Sequence, residues 1–311
     1  MKPRWGLNPG YFTGSDCKLY VKALEQIKKL GFDGILGLGS LSPIKPNSTL
    51  TFADIKKGLR DTGLRFFQLH ADWMNIASPV GCETTHGASP DESERRKAID
   101  FYKRWIGYAF EAEAEILVMH LGAAYHLDTP EQRQEAVGLA AESLRKLVEE
   151  IKGTRLRIAL ENEGIGSPDS ELRYEGAMPE SQLDPERMFG ASPKEIASVI
   201  ENAEVQDYVG VCLDTGHAIS TKQDLREVIL GAGKTIIGTH LHDTFKSYEM
   251  HLPPGEGSID WRIVMNTLRK VGYSGPYIFE LGFEDASWEE KVRRVKRSKE
   301  LLEKLLGPEE A

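Results

Sequence analysis

The sequence predicts a single-domain α/β protein, a (β/α)8 barrel of the TIM type spanning residues 1–311. Three observations carry that prediction. Eight short runs rich in β-branched and aromatic residues alternate with longer segments of helical period, the pattern of βα units around a parallel sheet. The first strand-to-helix turn, Asn8-Pro9-Gly10-Tyr11-Phe12-Thr13-Gly14, lacks the GxGxxG of a doubly wound nucleotide-binding sheet. The length of 311 residues holds a barrel of roughly 250 residues with loop insertions, and no linker interrupts it.

The strand candidates run in order from Trp5 to Asn8, Gly34 to Leu38, Arg65 to His70, Ile116 to Leu121, Arg157 to Glu161, Gly210 to Asp214, Ile236 to Leu241 and Tyr277 to Leu281. A helical segment follows each. In one of them Ala140, Leu144, Leu147 and Ile151 fall at spacings of four, three and four, which aligns an apolar face. Asp224 and Asp260 stand where two later helices begin, since a carboxylate there accepts the first unpaired N–H groups. The last helix, from about Ser287 to Leu306, gathers Val292, Val295, Leu302 and Leu306 on one face. The longest irregular stretch, about residues 163–192, follows the fifth strand and is rich in Pro, Gly and Ser. A loop of that length in a compact domain is usually functional, so it is predicted to be an active-site loop.

Composition narrows the class. Hydrophobic residues make up 40% and charged residues 28%, with a mean hydropathy of −0.38, which excludes fibrous and disordered chains. No run approaches the about 18 uncharged apolar residues of a membrane span, and Met1-Lys2-Pro3-Arg4-Trp5 lacks the apolar stretch of a signal peptide. A cytoplasmic location without a membrane partner is the expectation. Cys17, Cys82 and Cys212 are scattered and odd in number, so they read as reduced thiols. Lys plus Arg is 39 against 48 for Asp plus Glu, a net charge of −9, which disfavours nucleic acid as partner. Arg173 and Arg187 in the long loop are surrounded by Glu171, Glu175, Glu180, Asp184 and Glu186. Oligomeric state is not legible.

Barrel active sites form at the C-terminal ends of the strands, and there the sequence concentrates metal-type ligands. The third run ends FFQLHAD with His70, the fourth LVMHLG with His120, and the fifth IALENE with Glu161. The sixth ends GVCLDTGH with Asp214 and His217, the seventh GTHLHD with His240, and the eighth YIFELG with Glu280. A carboxylate inside an apolar strand must be paired, protonated or bound to a cation, because burying it alone is costly. Glu161, Asp214, His240 and Glu280, converging on one mouth, are therefore the predicted ligands of a divalent ion. Three oxygen donors and one imidazole suit Mn2+, Co2+, Mg2+ and Zn2+. His70, His120, His217, Glu249 and His251 either ligate a further metal or hold substrate hydroxyls and phosphate around a single one. A lone strand histidine is more often a hydrogen-bonded core residue, which is the plain alternative for His70 and His120.

After the seventh strand, His251-Leu-Pro-Pro-Gly-Glu-Gly-Ser-Ile-Asp-Trp261 forms a tight turn into a helix beginning near Ser258 or Asp260. Turn and cap geometry accounts for Pro254, Gly255 and Gly257, although a helix start at a barrel mouth also suits an anionic group. His242, Asp243 and Lys246 lie nearby, and a structural role can account for Asp243. Trp5, Phe12 and Trp73 either wall the pocket or simply pack.

Taken in order, QLHADWMNIAS, LVMHLG, IALENE, GVCLDTGHA, THLHDT, HLPPGEGSIDW and YIFELG resemble the xylose isomerase-like barrel superfamily over nearly the whole chain. That superfamily includes sugar phosphate isomerases and epimerases and the endonuclease IV type of DNA repair enzyme. The resemblance implies a (β/α)8 barrel with Glu161, Asp214, His240 and Glu280 holding one divalent ion, as in ketose epimerases, and His217 beside the substrate. It also implies an alternative. The repair endonucleases carry a trinuclear zinc centre, whose ligand positions are filled here by His70, His120, Glu161, Asp214, His217, His240, Glu249, His251 and Glu280. Glu249 departs from the Asp those enzymes have, and HLPPGEGSIDW is closer to the isomerase and epimerase branch. The expected function is thus a metal-dependent sugar or sugar phosphate isomerase or epimerase acting by proton transfer through a metal-bound enediolate. Glu161, Glu280 and His217 are its catalytic residues, and a small polyhydroxy carbonyl compound is its substrate. A multinuclear zinc phosphodiesterase acting on abasic DNA is the alternative.

Overall fold

The computed structural model describes residues 2–14, 16–38, 49–71, 87–120, 127–164, 188–245, 250–282 and 285–307. Outside them lie Trp73, Cys82, Lys246, Glu249 and residues 165–187, the greater part of the expected long loop, with Arg173 and Arg187. Among the described residues eight parallel strands close into a barrel in sequence order: β1 Trp5–Leu7, β2 Gly34–Leu38, β3 Arg65–His70, β4 Ile116–Met119, β5 Arg157–Glu161, β6 Val209–Asp214, β7 Ile236–Leu241 and β8 Tyr277–Phe279. The expected (β/α)8 barrel is the fold.

The surrounding helices are α1 Gly10–Thr13, α2 Tyr20–Lys29, α3 Phe52–Thr62, α4 Glu92–Ala112, α5 Pro130–Val148, α6 Pro193–Ala203, α7 Thr215–Ser220, α8 Leu225–Ala232, α9 Trp261–Lys270 and α10 Trp288–Leu306. Their starts follow capping chemistry. Thr51 and Thr129 make capping boxes with Asp54 and Gln132, and Asp224, Asp260 and Ser287 accept backbone N–H groups at the starts of α8, α9 and α10. The sixth strand is followed by two helices rather than one, because the Asp214 side chain caps the short α7 first. No helix among the described residues is long and apolar enough to cross a membrane.

Three strands end earlier than their apolar runs. Asn8 and Leu281 leave the ladder together, since the Asn8 amide donates to the Leu281 carbonyl at 2.9 Å and accepts the Leu281 N–H at 2.8 Å. His120 leaves β4, and its carbonyl accepts the Tyr102 hydroxyl at 2.6 Å. In each case a side chain takes the place of a strand partner, so the buried backbone groups stay satisfied.

The main core lies between barrel and helices and includes Leu7, Ile27, Phe66, Trp105, Leu144, Leu213 and Val295. Two smaller groups fill the barrel itself: Ile116, Val118, Ala159 and Cys212 with Ile237, and Leu36, Phe67 and Ile278 with Leu38. The ladder slips by one residue twice. Ile35 pairs with Phe66 but Leu36 with Gln68, leaving Phe67 extra on β3; Val211 pairs with Ile236 but Cys212 with Gly238, leaving Ile237 extra on β7. Such bulges let two successive side chains face the same way. Phe67 and Ile237 thereby fill the barrel floor, over glycines: a Cβ at Gly34 would come within 2.6 Å of the Phe67 ring, and one at Gly210 within 2.6 Å of Ile237.

Candidate functional site

Seven of the predicted residues meet at the C-terminal mouth, each carried by the end of a strand or the turn after it. Glu161, the last residue of β5, is the hub and is buried. Its Oε1 lies 2.6 Å from His240 Nδ1, and its Oε2 lies 2.7 Å from His70 Nε2 and 3.4 Å from His120 Nε2. Glu280, just past β8, brings Oε2 to 2.7 Å from the same His240 Nδ1. Asp214, ending β6, accepts the His217 N–H at 2.7 Å and meets His242 Nε2 with both oxygens, at 2.9 and 3.0 Å. One ligand atom from each of Glu161, Asp214, His240 and Glu280 lies within 4.8 Å of the other three, and the same holds for His70, His120 and Glu161.

The backs of the histidines decide which nitrogen faces the mouth. A carbonyl or amide oxygen only accepts, so the ring nitrogen beside it carries a proton. His70 Nδ1–H donates to the Ala71 carbonyl at 2.7 Å, His217 Nδ1–H to the Asn162 carbonyl at 2.7 Å, and His240 Nε2–H to Gln68 Oε1 at 3.0 Å. His120 Nδ1 faces a Glu163 carboxylate oxygen at 3.0 Å. Metal-ligating histidines are held from behind in this way. His242 is turned the other way: its Nε2 meets Asp214, and its buried Nδ1 has no hydrogen-bond partner among the described residues. It holds Asp214 in place.

A ring lone pair about 2.7 Å from a carboxylate oxygen needs a positive centre between them, a proton or a metal ion. Without metal the centre is a proton. Burial opposes a charged imidazole at His240, yet the carboxylates of Glu161 and Glu280, with a hydrogen bond to the Cys212 sulfur, outweigh it and raise the pKa well above the usual imidazole value. Burial likewise favours the neutral acid at both glutamates. The neighbouring His240 and His70 outweigh it, holding Glu161 well below the ordinary carboxylate range and Glu280 down at about 2. At His120 burial is again opposed, by Glu163 and then Glu161, and the pKa is raised. Cys212, buried and without a disulfide, is pushed up to about 12 chiefly by burial, so it stays a thiol.

The turn after β7 folds around Asp243, whose carboxylate accepts Gly255 N–H at 2.8 Å, Ile259 N–H at 3.1 Å, Thr244 N–H at 3.0 Å and Trp261 Nε1–H at 2.8 Å. Asp243 is structural, and the Pro-Gly turn with the Asp260 cap serves the loop itself. That loop sets His251 face to face with His242, ring centroids 4.2 Å apart. Trp5 and Phe12 are core residues: Trp5 is the first residue of β1, at the end away from the mouth, and packs on Tyr277 and Phe279, while Phe12 packs on Tyr11 and Trp288.

Gln68, Asn162, Glu163 and His242 are the site residues that strand-end reading does not single out. Gln68 and His242 each stand two residues from a strand-end histidine, the period that shares one face of a strand. Asn162 and Glu163 follow Glu161 directly. Asn162 also clamps Asp214, donating to its carbonyl at 3.1 Å and accepting its N–H at 2.8 Å.

A family model described as xylose isomerase-like TIM barrel matches residues 24–304. The uncharacterized protein MJ1311 of Methanocaldococcus jannaschii is 25% identical over 221 residues, 70% of this chain, and the match spans 66% of that relative's length. L-ribulose-5-phosphate 3-epimerase UlaE of Escherichia coli is 22% identical over 280 residues, covering 86% of this chain and 84% of the relative. Among solved structures, the IOLI protein with a binding zinc atom superposes with a TM-score of 0.72 at 17% identity, covering 99% of this chain and 100% of that one. At that identity the likeness speaks for the fold.

Proposed function

Because the chain belongs to the xylose isomerase-like TIM barrel family, we propose that it is a divalent-metal-dependent isomerase or epimerase of a small polyhydroxy ketone or aldehyde, free or phosphorylated. The observation that carries this reading is the convergence of Glu161, Asp214, His240 and Glu280, with His240 presenting Nδ1 to two carboxylates. The relative named as a ketose phosphate epimerase and the neighbour with a zinc atom support it.

Three carboxylates and an imidazole held from behind fit Mn2+, Co2+, Mg2+ or Zn2+, and these four residues would hold the ion. When bound, it supplies positive charge to a substrate carbonyl and the neighbouring hydroxyl, acidifying the C–H between them. Glu161 and Glu280 approach His240 from β5 and from beyond β8. One removes the proton at that carbon, and the other returns one on the opposite face. Both carboxyls are held below the ordinary carboxylate range in the metal-free protein, so the one that acts as base starts as the anion, and the one that returns a proton first takes it from solvent. With its Nδ1–H given to Asn162, His217 turns Nε2 toward a substrate hydroxyl as an acceptor.

Elemental analysis of protein purified without chelator should find one divalent ion per chain, and a ketose substrate should exchange a C–H with solvent deuterium. Two or three zinc ions together with incision of an abasic duplex would overturn the reading in favour of the zinc phosphodiesterase, for which His70, His120 and Glu161 supply a further donor group.

The proton on His240 predicts a linked effect. An ion that takes its place displaces about one proton at neutral pH, so the heat of Mn2+ binding should change with the ionisation enthalpy of the buffer. Equal heats in phosphate and Tris would contradict this.

A further inference from the structure

Gln68 is a fully buried amide on β3 in a barrel interior that holds two packed apolar groups, Ile116, Val118, Ala159 and Cys212 in one and Leu36, Phe67 and Ile278 in the other. Its Nε2 has no hydrogen-bond partner among the described residues. An amide half-satisfied in such a place is less favourable than a leucine or methionine of similar volume, so packing does not account for it. Its Oε1 does have a partner, the His240 Nε2–H at 3.0 Å. That contact crosses the barrel, because β3 and β7 stand opposite each other in the closed ring of eight.

Gly238 completes the arrangement. It lies on β7 two residues before His240, on the same inward face, and a Cβ there would land on Gln68 Nε2, nearer than any side-chain contact allows. Its φ is not in the left-handed region, so the backbone does not require glycine there. The space does. The ladder slips at Phe67 and Ile237 come immediately before Gln68 and Gly238, so the two facing strands are adjusted at the same level of the barrel.

We propose that Gln68 is a positioning residue for the metal centre: it reaches across the barrel to hold the His240 Nε2–H, so that Nδ1 is the nitrogen presented to Glu161 and Glu280, and Gly238 is the space it reaches through. The inference rests on the reading of Glu161, Asp214, His240 and Glu280 as ligands. A ligand histidine without its rear acceptor typically binds metal about 10- to 100-fold more weakly.

The test compares zinc affinity, by competition with a chromophoric chelator, among the wild type, Gln68→Met, Gln68→Glu and Gly238→Ala. The Met variant keeps the volume and removes the acceptor, so it should lose about 10- to 100-fold; Gln68→Glu keeps an acceptor and should bind within a few-fold of wild type. Gly238→Ala displaces the amide and should resemble the Met variant. Thermal unfolding of the metal-free proteins should show Gln68→Met at least as stable as wild type, and 15N spectra of the zinc-loaded wild type should report His240 with its proton on Nε2. Equal zinc affinity of wild type and Gln68→Met would overturn this inference alone. Failure of the wild type to bind zinc would overturn the metal reading with it.

Discussion

Glu280→Gln should abolish measurable exchange of a substrate C–H with solvent, a loss of at least about 10³-fold if general acid–base transfer is the step removed. The amide has the shape of the carboxylate and can still face the mouth, but it accepts no proton at neutral pH. Burial would favour an uncharged group here, and the wild-type carboxyl is nonetheless held down at about 2 by His240, so the substitution removes a charge that its surroundings sustain. Elemental analysis of the variant must accompany the exchange assay, because a weakened metal site also lowers the rate. A variant with full metal content and exchange within tenfold of wild type would remove Glu280 from the proton-transfer role. Glu161→Gln provides the matching case from the other carboxylate.

Asp243→Ala should cost about 3–5 kcal/mol of unfolding free energy, in the range expected when a buried hydrogen-bonded charge is removed and its partners are left behind. Four donors would lose their acceptor: the backbone N–H groups of Thr244, Gly255 and Ile259 and the Trp261 indole. The void cannot be refilled locally, because Gly257 approaches so closely that a Cβ there would strike the Asp243 carboxylate and lie 2.6 Å from the Thr244 carbonyl. For a chain of this size the midpoint of thermal unfolding should fall by about 10 °C. Urea titration of the metal-free variant measures the loss directly, and a change below about 1 kcal/mol would contradict the structural role of Asp243 in this turn.

Much of this protein is legible in its sequence, and the parts that are not share one physical origin. A strand such as Ile236–Leu241 announces itself because burial on both faces demands a continuous apolar run, and His240 announces the site because it interrupts that run at the mouth end. Glu161, Asp214 and Glu280 are visible for the same reason. Strand ends at Met119 and Phe279 are not, since they depend on Asn8 and the Tyr102 hydroxyl, which arrive from elsewhere in the chain. The slip at Phe67 breaks the period of two with no glycine or proline beside it to mark it, and at Ile237 the adjoining Gly238 is the one local sign. Gln68 and Glu163 stay hidden because their meaning lies in a partner, His240 across the barrel and His120 just past the neighbouring strand. Trp5 misleads in the opposite sense. An aromatic residue near an active-site strand invites a pocket role, yet its place at the start of β1 commits it to packing.

The two oxygens of Glu161 face different imidazoles, Oε1 toward His240 and Oε2 toward His70. Charge arriving beside one oxygen is felt at the other through a single carboxylate only a bond or two long. On the multinuclear zinc alternative, two ions held by the donor groups that share this residue would therefore not fill independently. An ion at one group would change the affinity of the other, and by reciprocity the second that of the first, so any coupling between them would run through one side chain.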